Sequence, residues 1–213
     1  MSNRITAYVM KLFMLIALAI VSADVAWSAQ RPGHSGHDLI AIGYGDSSMG
    51  GFGNGIGDLS TFNELEDIVT ADNYAEVEME NAIGGRVSIQ QLSGLTGNKA
   101  KVVQQNSRGS EARIWQGGSE NIALVTQTGT GNEAFIGQHG YSNNAWINQN
   151  GNYNIAAIIQ NGSGSSMSIN QRGNNNQAYL VDNGGSNYGI SQNGNDYVAI
   201  IGGSGINVFV TQY

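Results

Sequence analysis

The chain has 213 residues, 31 glycines, one proline and no cysteine, and its formal net charge is −7 with only 12% charged residues. Soluble enzyme domains average about 25% charged residues and about 7% glycine, so this composition departs from an ordinary enzyme. The missing cysteines exclude disulfides and thiol chemistry, and an acidic chain without a Lys/Arg patch to neutralise phosphates excludes nucleic acid as a partner.

At the N-terminus, Arg4 and Lys11 precede the apolar run LFMLIALAIV (12–21), and small residues follow in VSADVAWSAQ. This is the layout of a secretory signal peptide, and the apolar run falls short of the roughly 20 residues that span a bilayer. Cleavage after Ser28, with Ala26 and Ser28 at the small positions, or after Ala29, removes a leader read as residues 1–28 and marks the chain for secretion. Residues 29 to about 57 are glycine-rich and without period, which predicts a flexible segment. Its GFGNGIG has neither a strand before it nor a helix directly after it, as a phosphate loop requires. His34 and His37 are two potential ligands where zinc needs three or four. Residues 58–80 hold eight acids and no Lys or Arg. There Thr61 and Glu64 suit a capping box for a short helix over 62–69, and Asn73, Ala75 and Val77 alternatively suit a degraded first repeat. Residues 29–84 are thus read as a largely flexible, glycine-rich and then acidic segment.

From residue 85 to 213 a repeat takes over. Glutamine marks its reference position at Gln91, Gln104, Gln116, Gln127, Gln138, Gln149, Gln160, Gln171, Gln192 and Gln212, with Asp182 and Gly203 filling two further cycles. The spacing is eleven residues throughout 116–171. Two positions earlier every cycle is aliphatic: Ile89, Val102, Ile114, Val125, Ile136, Ile147, Ile158, Ile169, Leu180, Ile190, Ile201 and Val210. Four earlier the residue is mostly alanine, with Met167, Tyr188 and Ala199 among the later ones. Six earlier stand Asn98, Asn121, Asn132, Asn143, Asn154 and Asn176, or serine. Two after the reference lies glycine in nine cycles.

These positions share parity, and a period of two selects one face of a strand. Each cycle predicts a strand of about seven residues and a tight turn carrying the glycine. A short regular period of strand and turn predicts a stacked array. The fold class expected is all-β: a β-solenoid of strand-turn-strand coils, eleven residues per strand-plus-turn unit, with two strands closing each coil. Six coils stand about 29 Å tall at the inter-strand spacing. Ile, Val, Leu and Ala form the core. The Gln and Asn positions form amide ladders, because stacked amides donate and accept along the stack where a lone buried glutamine costs about 1–3 kcal/mol. Asp182 interrupts the ladder with a charge that repels its like. The final cycle, INVFVTQY (206–213), shows none of the charge, proline or cap that protects sheet edges, so the array reads as a template for further copies of itself.

On the opposite face of the strands lie Leu124, Phe135, Trp146, Ile155, Ala157, Ile159 and Tyr179. They read either as scattered apolar groups on a solvated sheet, as surfaces ordinarily carry, or, clustered by in-register stacking, as a surface for lateral contact or adhesion. No nucleophile–base–orienter set is present, acids are scarce in the repeats, and His139 sits in a turn without a recurring carboxylate. The Gly-Gly-x-Gly-x-Asp calcium motif is missing. The reading is therefore a non-enzyme with no catalytic residue, cofactor or metal.

The spacing Ser110–Gln116–Asn121–Gln127 resembles the curlin signature, in which Ser, Gln, Asn and Gln are separated by five, four and five residues. SSMSINQRGNNNQAYL (165–180) also resembles a curlin repeat, and Gln212–Tyr213 is similar to the end of the major subunit. The resemblance covers residues 85–213. Curlins are subunits of curli amyloid fibres. The resemblance implies nucleated extracellular self-assembly into a homopolymer, a biofilm-matrix and adhesion role, a companion curlin subunit, and export through an outer-membrane secretion pore with accessory chaperones. The glycine-rich segment would address the chain to that pore. Acidity and the glycine-rich start favour the major subunit over the nucleator. The competing expectation is a secreted monomeric β-solenoid that binds a surface as an adhesin.

Overall fold

The computed structural model describes Leu65 and residues 72–93 and 96–213. The leader, the glycine-rich segment and most of the 62–69 helix lie outside the described residues; Leu65 itself is helical. Among the described residues the chain forms thirteen strands: β1 (Tyr74–Glu80), β2 (Arg86–Ser93), β3 (Lys99–Arg108), β4 (Glu111–Ser119), β5 (Ile122–Thr130), β6 (Glu133–Tyr141), β7 (Asn144–Asn152), β8 (Ile155–Ser163), β9 (Ser166–Asn174), β10 (Gln177–Asp182), β11 (Asn187–Asn193), β12 (Tyr197–Ile201) and β13 (Asn207–Gln212).

The strands alternate between two parallel sheets. Odd-numbered strands form a seven-stranded sheet in the order β1-β3-β5-β7-β9-β11-β13, and even-numbered strands a six-stranded sheet in the order β12-β10-β8-β6-β4-β2. Each strand thus pairs with the one two steps along the chain. This is a β-solenoid of about six coils, with 22 residues per two-strand coil where Ile114 stacks on Ile136 and Ile136 on Ile158. Backbone pairing continues around the corners. The Glu111 N–H donates to the Asn132 carbonyl and the Ile122 N–H to that of Asn143, both at 2.8 Å.

The core is a double row between the sheets. Ala112, Ile114, Ala123, Val125, Ala134, Ile136, Ala145, Ile147, Ala156, Ile158, Ala178, Leu180 and Ile190 all belong to one buried cluster. The alternation of alanine with a branched residue lets each small side chain face a large one. Full burial of each Ile or Leu is worth about 1.5–3 kcal/mol. Met167 and Tyr188 replace alanine in β9 and β11 and are also buried.

Among the described residues the array begins with β1, N-terminal to the Gly85 start. Ala75 and Val77 lie in register with Ala100 and Val102 of β3, as the degraded-repeat reading of Asn73, Ala75 and Val77 expects. Met79 occupies the glutamine position, opposite Gln104.

The pattern is corrected near the other end. Leu180 pairs with Ile200, and Ala178 with Val198, so the inward residues of β12 are Val198 and Ile200. Ile201, expected in the core, is 73% exposed, and Ala199 shares its outward face. The reference position that follows is Gly202, not Gly203. After Asp182 the spacing contracts to ten residues, through Gln192 and Gly202 to Gln212. The turns lose one residue, and a one-residue slip exchanges the two faces of a strand.

The strands also run longer than seven residues. Those from β4 to β9 have nine, and the glycine two places after the reference lies inside the strand pairing. Gly151 shows why glycine is needed there. Its φ is +137°, and a Cβ on it would run into the carbonyl of Gly173 on the next rung. The left-handed turn position comes two residues later and is filled by residues such as Ser142, Tyr153 and Asn175.

Candidate assembly site

The reference glutamines turn inward at the end of each strand. In the odd sheet, Gln104 donates from Nε2 to Gln127 Oε1 at 2.8 Å, Gln127 to Gln149 at 2.9 Å, Gln149 to Gln171 at 3.0 Å, Gln171 to Gln192 at 2.9 Å and Gln192 to Gln212 at 3.2 Å. In the even sheet, Gln91 donates to Gln116 and Gln116 to Gln138 at 2.8 Å, and Gln138 to Gln160 at 2.9 Å. Every amide points its NH₂ toward the C-terminal end of the stack. The second amide hydrogen closes the coil: Gln138 Nε2 also donates to the carbonyls of Ile122 and Asn143, at 3.0 and 2.9 Å. Gln91 and Gln212 are half-buried; the glutamines between them are fully buried.

The asparagines occupy the corners and form two further stacks of opposite polarity. Asn121 Nδ2 donates back to Asn98 Oδ1 at 2.9 Å, and Asn143 to Asn121 at 3.0 Å. At the other corner, Asn176 donates back to Asn154 at 3.0 Å, and the Asn154 backbone N–H to Asn132 Oδ1 at 3.1 Å. From side chain to side chain the glutamines thus donate up the stack and the asparagines down it, while asparagine NH₂ groups also donate up to glycine carbonyls, Asn121 to Gly140 at 3.0 Å and Asn154 to Gly173 at 2.9 Å.

Asp182 ends the even-sheet ladder, since it pairs in register with Gln160 and is fully buried. Instead of meeting a like charge, it receives the Ser165 hydroxyl at 2.5 Å and the Gly184 N–H at 2.7 Å on Oδ2, while Oδ1 has no partner. Gly202 then leaves room that the Tyr188 hydroxyl occupies, donating to the Gly203 carbonyl at 3.2 Å. The sequence reading missed this pairing of a large core residue with a glycine. The even ten-residue step 182–192–202–212 was the signal that could have found it.

The outward apolar residues divide by sheet. Leu124 lies beside Trp146, and both are buried together with Ile122 and Leu65. On the even sheet Phe135, Ala157 and Tyr179 stack in register. Burial, with Tyr197 and Glu133 nearby, pushes the Tyr179 hydroxyl up to about 12. His139 lies within β6, not in a turn, because the strand extends past its reference position. Its ring stacks on Trp115 with centroids 6.2 Å apart.

Charge gathers at the N-terminal side. Glu111 and Glu133 stack in register, with Arg113 paired to Glu111. Burial first, and then the Glu111 charge, raise the Glu133 carboxyl above its ordinary range against the opposing pull of Arg113. In β1 the Tyr74 hydroxyl donates to Glu76 at 2.8 Å, and Lys101 lies 3.2 Å from Glu76 and 3.7 Å from Glu78. The Tyr74 bond chiefly, with Lys101, holds Glu76 below the usual carboxylate range despite its partial desolvation.

Exposed large apolar side chains concentrate at the two ends of the stack. Val77, Met79, Ile83 and Leu92 lie at one end, and Tyr197, Ile201, Ile206, Phe209 and Tyr213 at the other. There the core rows themselves are only partly covered, at Val87 and Ile89 and at Val198, Ile200 and Val208. The sheets are open along β1 and β2 and along β12 and β13 among the described residues.

A two-sheet parallel β-solenoid with internal amide ladders and open terminal edges is the class of protein that these features define. Within it, residues 108–140 match the family model of the curlin associated repeat, a span that contains Ser110, Gln116, Asn121 and Gln127. No curated protein matches the chain.

Proposed function

We propose that this chain is a secreted structural subunit that polymerises into extracellular, curli-like amyloid fibres serving a biofilm matrix and adhesion. The observation that carries this reading is the pair of ends left open among the described residues. One glutamine ladder at each end, Gln91 at one and Gln212 at the other, and the backbone edges and core rows at both, stop there with their bonding and burial incomplete. An uncovered parallel edge is a template for another chain, and in-register amide stacks of this kind recur in amyloid. The curlin associated repeat at 108–140 supports the same reading and extends it to export through an outer-membrane pore with accessory chaperones, and to assembly beside a companion curlin subunit. The role requires no cofactor.

Amyloid-dye fluorescence over time, on the chain freed of residues 1–28 and with or without preformed seeds, tests the proposal. The expected result is a lag that seeds abolish, followed by fibres diffracting at about 4.8 and 10 Å. A solution that stays monomeric and dye-negative in the presence of seeds overturns it and leaves a monomeric surface-binding solenoid.

A further inference from the structure

We infer that successive copies stack end to end with a half-turn about the solenoid axis, so that β1 of one copy pairs with β12 of the copy before it and β2 pairs with β13. This rests on the self-assembly reading and specifies its junction.

Strand parity requires the rotation. The thirteen strands of the described residues alternate between two sheets, so β1 and β13 both belong to the seven-stranded sheet. Continuing the alternation past β13 puts the next strand on the open edge of β12, in the other sheet. An unrotated copy would place its β1 on β13 and its β2 two rungs beyond β12. That leaves one strand missing, a gap of about 9.6 Å between the two edges, and the backbone groups along both would stay unpaired.

Side chains select the same arrangement independently. The ladder reaching β13 ends at Gln212, whose Oε1 accepts from Gln192 and whose NH₂ is left for a further rung. The ladder starting at β2 begins with Gln91, whose NH₂ is spent on Gln116, Tyr74 and Asn98 and whose Oε1 is left as an acceptor. With the half-turn, Gln212 meets the next copy's Gln91, donor to acceptor, and the six-glutamine ladder runs on into the four-glutamine one. Met79, which cannot join a ladder, falls opposite Gly202, which has no amide to offer. Without the rotation Gln212 would face Met79, and a buried amide donor would lose its partner. The partly covered rows also match. Val208 and Val210 lie against Val87 and Ile89, and Val198 and Ile200 against Ala75 and Val77.

The chain has no cysteine, so engineered pairs report the junction cleanly. In the half-turn register Thr211 neighbours Gln90 of the next copy; in the unrotated one it neighbours Glu78. All three are exposed strand positions, and adjacent in-register strands lie within disulfide reach. Fibres are grown from an equimolar mixture of Thr211→Cys and Gln90→Cys chains, and separately from Thr211→Cys and Glu78→Cys chains. Any substituted chain that does not polymerise alone is seeded with wild-type fibres. Both mixtures are then oxidised and resolved on a denaturing gel. The expected result is a covalent heterodimer from the first mixture and its loss in the second. Coupling in the 211–78 mixture, or fibres in which neither mixture couples, overturns the half-turn while leaving self-assembly standing. A wild-type chain that never polymerises removes the self-assembly reading itself, and the junction with it.

Discussion

Gln149 and Gln171 lie one above the other in β7 and β9, and the Gln149 amide spans 3.0 Å to Gln171 Oε1 while also donating to the Glu133 carbonyl of the facing sheet at 3.0 Å. One side chain therefore links two rungs and closes one coil. Gln149→Leu takes from the Gln127 amide its acceptor on the next rung and from the buried Gln171 Oε1 its donor, and an unsatisfied buried group costs about 1–3 kcal/mol. The expected outcome is a net loss of at least about 2 kcal/mol in denaturant unfolding of the fresh monomer, together with a longer assembly lag. Paired with Gln160→Leu, it interrupts both ladders, and an unchanged lag in the double variant would count against the amide mechanism.

Asp182 is held by its two neighbours, Ser165 and Gly184. Ser165→Ala removes the one side-chain donor that the described residues place on that buried carboxyl group, for which the expected cost is about 1–3 kcal/mol. The loss should show in the urea midpoint with little change in slope, since the fold around it is otherwise intact. Ser165→Thr keeps the hydroxyl and should recover part of the loss.

Glu133 makes stability depend on pH in an unusual direction for a carboxylate. Its folded-state pKa is raised above 4.5, so the folded chain binds this proton more tightly than the unfolded chain does. The contribution favours folding at pH values below 4.5, declines as pH rises from there through the raised folded value, and is constant at its lower level above that. Glu133→Gln should therefore raise the thermal midpoint at neutral pH and gain much less in acid. A midpoint difference that does not change between the two conditions would refute this.

Gly151 is the clearest steric requirement in the stack. Gly151→Ala forces a side chain into a left-handed backbone region and against the Gly173 carbonyl, where alanine destabilises by more than about 1 kcal/mol. The expected readouts are a lower thermal midpoint and slower seeded growth. Gly109→Ala provides the contrast: φ is +61° there but nothing lies near the added Cβ, so only the backbone strain remains.

Much of this architecture can be read from residues 116–171, where Gln116, Gln127, Gln138, Gln149, Gln160 and Gln171 keep one spacing and Ala and Ile keep one parity. A strict period needs no tertiary information, because each unit meets the same neighbours as the last. The reading slipped where the period changed. Ile201 and Ile200 are adjacent isoleucines, and either can face inward; pairing with Leu180 puts Ile200 inside. Tyr188 looks too large for an alanine position until Gly202 is seen to leave it room. Met79 hides the first rung because its neighbours Ala75 and Val77 carry the pattern without the glutamine.

Parity, amide placement and the aliphatic row thus follow from local chemistry: a strand exposes alternate residues to alternate faces, and a buried amide needs another amide in reach. The partner of each strand, the opposite polarity of the glutamine and asparagine stacks, and the odd number of strands among the described residues do not follow from local chemistry. They depend on the length of every turn and on which sheet receives each strand, and a single residue gained or lost at one corner reverses the face of the strand that comes after it.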